Sequence, residues 1–302
     1  MDKSKILLRI GEVYDKGENI MQYLKKLNDK SEITTEDILI SYDFQAGKYI
    51  ERTNSSKSSK NIYAANIAKV IDELGEINSI MEAGVGEATT LGRVIKNLKT
   101  VPEHIFGFDL SWSRIKYGQK FLKSYELQIQ NSIHLCTGDL FNSPFPDNAF
   151  DLVYTSHTLE PNGGLEKEAL EALYRITNKY LVLLEPAYEL GSNAARERMD
   201  KHKYVTNLRQ TALDLGYKIM KYELFEPCSN PLNPTSIMII KKEAKNYNHP
   251  SFVCPITKTI LREKDQALFS KDSLLAYPVL AGVPCLLPSN GIVATHFLDD
   301  FS

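Results

Sequence analysis

The stretch "SIMEAGVGEATTLGRVI", Ser79 to Ile95, decides the fold. A short apolar run carrying one acid, Glu82, meets two glycines, Gly84 and Gly86, and passes into helical spacing. Glycine lets a backbone turn sharply and lets a ligand come close, and the amides of Glu87 to Thr90 would form a helix N-terminus that attracts negative charge. Strand, tight turn and helix in that order suit a parallel α/β sheet whose turn holds something small.

Working outward, the pattern alternates: helix 61–75, strand 79–83, helix 87–98, strand 105–109, helix 113–124, strand 133–137, strand 150–155, helix 165–178 and strand 180–185. Short apolar strands separated by helices predict a mostly parallel sheet covered on both faces. A helix near 204–215 and strands near 218–225 and 235–241 follow; two strands joined without a helix run antiparallel, so the sheet ends in a hairpin-like pair. Upstream, residues 3–28 have helical apolar spacing broken at Gly17. "SYDFQAGKYIERTNSSKSSKN" reads as loop, its Ser- and Lys-rich second half exposed and its aromatic first half covering something. The domains expected are an N-terminal helical region with a covering loop (1–60), a main α/β domain (61–245) and a small strand-rich unit (250–302).

The composition excludes several classes. With 43% hydrophobic residues, 25% charged residues and a formal charge of −2, the 302-residue chain has no basic footprint, which makes a nucleic-acid partner unattractive. No apolar run reaches membrane-spanning length and the N-terminus lacks a secretory apolar core, so no membrane partner and a cytoplasmic location are expected. The four cysteines, Cys136, Cys228, Cys254 and Cys285, form no CxxC pair and no disulfide framework.

The glycine turn is not a dinucleotide fingerprint. GxGxxG needs a third glycine where this chain has Thr89, and Glu82 before the turn would repel a pyrophosphate while suiting an ammonium group. Asp109 ends the next strand in "HIFGFDLSWSR", where a carboxylate can accept both hydroxyls of a ribose. Asp139 ends the strand after it in "TGDLFNSPFPDNAFDLVYTS", placed for an adenine amino group. Three strands ending in carboxylates outline a nucleoside with a cationic tail.

In this order, "MEAGVGEATT", "GFDLS", "TGDLFNSPFPDNAFDLVYTSHTLE" and "LYRITNKYLVLLEP" resemble the class I S-adenosylmethionine-dependent methyltransferases over about residues 61–240. The resemblance implies a Rossmann-like sheet with its last strand antiparallel, S-adenosylmethionine as cofactor and methyl transfer to an acceptor. It implies that Glu82, Gly84 and Gly86 shape the methionine side of the pocket, with Thr89 reaching the methionine carboxylate. Asp109, followed by Leu110, would hold the ribose, and Asp139 with Leu140 the adenine; each aspartate could instead be a cap or turn residue. Tyr42, Gln45 and Tyr49 would close over the cofactor or simply pack. His157 and Glu160, in the loop after the fourth strand, are the candidate catalytic pair, His157 acting as base or as a structural support. Glu185, Tyr188, Arg198 and His202 are weaker acceptor-side candidates. A small molecule, such as a sugar or biosynthetic intermediate, is the expected acceptor; RNA, a protein or a non-catalytic scaffold are the alternatives.

"FVCPITKTIL" and "DSLLAYPVLAGVPCLLP", about residues 250–288, are similar to the zinc-ribbon-like Trm112 family, whose members bind and activate methyltransferases. Thr257 and Ser270 stand where that family has cysteines, so no metal is expected. The fused unit is expected to pack on its own catalytic domain or to mediate homodimerisation.

Overall fold

In a computed structural model the described residues are 3–28, 34–55, 57–124, 132–228, 230–244 and 246–297. The chain opens with helices α1 (Lys3–Asp15), α2 (Ile20–Asn28), α3 (Thr35–Phe44), α4 (Lys48–Ser55) and α5 (Lys57–Glu73). Alternation follows: β1 (Ser79–Ala83), α6 (Thr89–Asn97), β2 (His104–Asp109), α7 (Trp112–Leu122), β3 (Ile133–Thr137), β4 (Phe150–Ser156), α8 (Glu166–Ile176) and β5 (Thr177–Pro186). Then come α9 (Asn193–His202), α10 (Leu208–Asp214), β6 (Lys218–Leu224) and β7 (Thr235–Lys241).

The seven strands form one sheet in the order β3-β2-β1-β4-β5-β7-β6. Every pairing from β3 to β5 is parallel, and β7 runs antiparallel to both β5 and β6. The strand order reverses at β1, so the C-terminal ends of β1 and β4 diverge around a crevice, the place where open α/β sheets bind ligands. On one face α5 lays down Ala64, Ile67, Ala68 and Ile71, all buried, with the i, i+3, i+4, i+7 spacing of an apolar stripe. Each such isoleucine contributes about 1.5–3 kcal/mol by leaving water. On the other face α8 and α10 bury Leu170, Leu173, Leu208 and Ala212 against Val153, Leu181 and Met238.

The expected loop over 41–61 is a correction: the region is helical. Thr34 and Asp37 form a capping box, Asp37 N–H donating to Thr34 Oγ1 at 3.2 Å and Thr34 N–H to Asp37 Oδ2 at 3.0 Å, which starts α3. Gly47, at φ +94°, makes the turn into α4. The expected exposure of the Ser- and Lys-rich segment falls largely on side chains 52–58, which lie outside the described residues. Helix α9 lies in a segment to which the sequence reading assigns no element, and the predicted helix near 204–215 is confined to α10.

The small unit has strands β8 (Arg262–Lys264), β9 (Ala267–Ser270), β10 (Leu275–Leu280), β11 (Val283–Pro284) and β12 (Ile292–Val293). Cys285, just beyond β11, bridges in parallel to Thr137 at the open edge of the large sheet, with Leu286 N–H donating to Thr137 O at 3.2 Å. From α7, Trp112 Nε1, Lys116 Nζ and Gln119 Nε2 donate to the carbonyls of Leu280, Ala281 and Gly282 at 3.3, 2.6 and 3.0 Å. Phe252 packs on Phe106 and Phe145, so the unit shares the core of the large domain. Of the expected 250–302 unit, 298–302 lie outside the described residues.

Candidate active site

A cleft with about 880 Å³ of unfilled space, mouth included, opens at the C-terminal ends of β1 to β4. Gly84 from the glycine turn, Asp109, Leu110 and Arg114 after β2, Asp139 and Leu140 after β3, and His157 and Thr158 after β4 line it; Tyr42 and Tyr49 roof it.

The turn has little freedom. Gly84 sits at φ +70°, and a Cβ there would collide with the side chain of Thr158, whose Oγ1 donates to Ala83 O at 2.8 Å. Gly86 sits at φ +54°, and a Cβ there would collide with the guanidinium of Arg114. The approach that this glycine permits is therefore taken by a side chain of the chain itself.

Asp109 is buried and partly engaged. Its Oδ1 accepts Ser111 N–H at 3.0 Å, while Oδ2 accepts Gly86 N–H at 3.0 Å and Arg114 Nη1 at 3.4 Å. A carboxylate has about four lone-pair sites. One remains free on Oδ1, and a second is freed when the long arginine contact is exchanged for a ligand hydroxyl. Asp139 caps the 3-10 turn Leu140–Asn142 through Phe141 N–H at 3.1 Å and still faces the cleft.

Five predicted residues are not in the lining: Gly86, which packs on Arg114, and four others. Glu82 is buried beneath the turn, where Tyr154 Oη donates to it at 2.9 Å; burial pushes its carboxyl up to about 8 against that hydrogen bond, so it is largely protonated at neutral pH. Gln45 caps α3 and donates to Ser41 O and Oγ at 3.0 and 3.1 Å, away from the cleft lining. Thr89 begins α6 and is not part of the lining. Glu160 stands behind His157 rather than on the wall.

His157 holds a left-handed backbone at φ +54° and has both ring nitrogens bonded, Nδ1 to Glu160 Oε2 at 2.9 Å and Nε2 to Thr235 Oγ1 at 2.8 Å. Burial lowers its pKa, but the Glu160 hydrogen bond and the charges of Glu185 and Glu160 outweigh it and the net shift is upward. Glu160 carries the complementary downward shift, its burial outweighed by His157. Glu185 holds the same loop from below, accepting Thr158 and Leu159 N–H at 2.9 and 3.1 Å. Tyr188 bonds Asp200 and Arg198 stacks on Tyr204; neither lines the cleft, nor does His202.

Two features escaped the sequence reading. The roof is stapled by reciprocal carboxylates at helix N-termini: Glu87 accepts Gly47, Tyr49 and Ile50 N–H at 2.9, 3.3 and 2.8 Å, and Asp43 accepts Ser113 N–H at 3.1 Å and Ser111 Oγ at 2.6 Å. The capping signal "TTED" before α3 could have revealed the helix. Arg114, on the first turn of α7, lies between the rings of Tyr42 and Tyr49 at 5.0 and 4.9 Å; its only sequence signal is a cation shortly after the strand-end acid.

In the small unit, Cys254 Sγ accepts Thr257 N–H at 3.5 Å and contacts Ser273 Oγ at 3.5 Å and Tyr277 Oη at 3.7 Å. Burial raises this thiol, yet bonds from Thr257, Ser273 and Ser270 dominate and pull it down to about 6.

Residues 80–179, from β1 through α8 into β5, match the family described as a methyltransferase domain. No curated protein is similar enough to count as a match. Among solved structures the chain is similar to magnesium protoporphyrin IX methyltransferase from Synechocystis PCC 6803 with bound S-adenosylhomocysteine, at 12% identity and TM-score 0.49, over 74% of this chain and 96% of that one. It is also similar to geranyl diphosphate C-methyltransferase from Streptomyces coelicolor A3(2), at 11% identity and TM-score 0.45, over 58% of this chain and 77% of that one.

Proposed function

We propose that the protein transfers a methyl group from S-adenosylmethionine to a small-molecule acceptor within this cleft. The observation that carries the proposal is the convergence, under an aromatic roof, of a glycine turn and two strand-end carboxylates with free acceptor capacity. The lining fits the cofactor: Asp109 and Asp139 match the hydrogen-bond donors of ribose and adenine, and Leu110 and Leu140 offer apolar flanks to a base. Bound there, the cofactor supplies an electrophilic methyl carbon on a sulfonium.

The chain's own residues do the rest by positioning and by excluding water. The rings of Tyr42 and Tyr49 cover the cleft and hold the guanidinium of Arg114 in place. His157 and Asn162 face the acceptor end. When the acceptor is a hydroxyl, His157 takes its proton through Nε2 as Thr235 releases it, while Glu160 holds the opposite N–H. The roof and the formal charge of −2 support a small acceptor over RNA or a protein. The small unit, resembling the Trm112 family with Cys254 kept but Thr257 and Ser270 in place of cysteines, supports the catalytic domain in cis along β3.

Calorimetry tests the cofactor reading: S-adenosylmethionine and S-adenosylhomocysteine bind one per chain and nicotinamide dinucleotides do not. Methyl transfer from labelled cofactor to pooled metabolites, with none to RNA or protein, tests the acceptor class. Label recovered in macromolecules would overturn it.

A further inference from the structure

Helix α3 is apolar on two opposite sides. Ile40 and Phe44 pack beside Ile10, Ile20 and Leu24 of α1 and α2. Thr35, Ile38 and Tyr42, spaced i, i+3 and i+7, share the other side and line the cleft. Ile38 is only 8% exposed, yet it belongs to none of the three hydrophobic clusters among the described residues. A buried isoleucine set against a cleft instead of a core offers its apolar surface to whatever fills that cleft.

The path of α3 separates Ile38 from the cofactor anchors. Near its C-terminal end Asp43 is tied to Ser111 and Ser113 at the start of α7, and Tyr42 lies on Arg114. From Tyr42 the helix extends back about 10 Å to Thr35, at 1.5 Å per residue. Burial first, then Tyr49 and Glu160, push the Tyr42 phenol up, so the loop after β4 is within electrostatic reach of this helix. Ile38 and Thr35 thus continue the wall away from the ribose acid, in the part of the cleft that His157, Pro161 and Asn162 also line.

The cations of the lining are already matched. Arg114 pairs with Asp109 at 3.4 Å and His157 with Glu160 at 2.9 Å, and Asp139 adds a further carboxylate to the lining. An anionic acceptor would have to displace one of these carboxylates or lie unpaired, and burying an unpaired charge is costly.

We infer that the acceptor is an uncharged molecule whose apolar body lies against Ile38, making Ile38 a specificity residue. The inference rests on the methyltransferase reading and narrows its small-molecule acceptor to this class, in place of a sugar or an acid. Ile38, Phe141 and Pro161 cover the apolar body, which leaves His157 and Asn162 for the group that takes the methyl.

The test uses the full chain saturated with S-adenosylhomocysteine and compares, by calorimetry at neutral pH, a neutral apolar alcohol, its acid counterpart and a sugar: 2-naphthol, 2-naphthoate and methyl glucoside. The naphthol is expected to bind at least about 10-fold more tightly than either of the others. Ile38→Ala is expected to weaken it by about 5- to 50-fold and Ile38→Leu by less than about 3-fold, with S-adenosylhomocysteine changed by less than about 3-fold in both. No binding of the naphthol, or binding of the naphthoate or the glucoside as tight as its own, overturns the acceptor class. Unchanged naphthol affinity in Ile38→Ala, or equal loss of naphthol and S-adenosylhomocysteine, overturns the role of Ile38. If the wild-type chain fails to bind S-adenosylhomocysteine, the methyltransferase reading itself fails, an outcome distinct from any of these.

Discussion

Gly84→Ala is the sharpest perturbation of the glycine turn. Three costs fall on one methyl group. The left-handed backbone at φ +70° costs a non-glycine residue about 1 kcal/mol. The new Cβ meets the Thr158 side chain, and relieving an overpacked contact costs about 1–3 kcal/mol. Rotating Thr158 away breaks its 2.8 Å bond to Ala83 O, worth about 1 kcal/mol. Together they destabilise the chain by about 3–5 kcal/mol, measurable as a lower urea midpoint at unchanged slope. Because the clash is pairwise, Gly84→Ala with Thr158→Gly should lose less than the two single losses added, with a coupling of about 1–3 kcal/mol. A single variant within about 0.5 kcal/mol of wild type, or strict additivity, would refute the reasoning.

Asp109→Ala should weaken S-adenosylhomocysteine by about 1–3 kcal/mol in calorimetry, through loss of hydrogen bonds to ribose hydroxyls. His157→Ala should lower single-turnover methyl transfer to a hydroxyl acceptor by about 10²–10⁴-fold, and the wild-type rate should fall in acid because the pair with Glu160 keeps the imidazole protonated to higher pH than usual; a flat pH profile would leave His157 a structural residue. Glu82 is raised to about 8, so the folded state holds a proton that the unfolded chain releases above about 4.5; stability from this group is highest below 4.5 and falls by up to about 1.4 kcal/mol per pH unit until about 8. Glu82→Gln should flatten that decline in urea titrations across pH. Elemental analysis of the purified chain should find no stoichiometric zinc, since Thr257 and Ser270 supply hydroxyls at Cys254 rather than thiolates; one zinc per chain after mild chelation would contradict this.

The sheet was legible because its strands are short apolar runs bounded by glycine and acids: β1, β3 and β7 fall where alternation puts them. Asp109 and Asp139 were legible as strand-end acids. The roof was not, because aromatic residues beside Gly47 resemble a loop and the bonds that make α4 begin there come from Glu87, some 40 residues later. Helix α9 was missed because it buries only Ala195 and Met199, too few for a periodic signal. Glu82 illustrates a limit of motif reading: a strand residue's side is set by the pleat, and here that side meets Tyr154 rather than the crevice. Arg114 was invisible for a related reason, since its meaning comes from Tyr42 and Tyr49, distant in sequence.

The bridge between Cys285 and Thr137 changes what dilution can do. An accessory subunit bound in trans dissociates as its concentration falls, so its contribution is governed by mass action. Here about 150 residues of chain join the two strands, and the local concentration of one for the other is set by the covalent path alone. Occupancy of the β3 edge is thus independent of expression level, and no stoichiometric imbalance can leave that edge bare. A unit so tethered can draw its order from the sheet it extends, which relaxes the requirement for a metal to hold it folded alone.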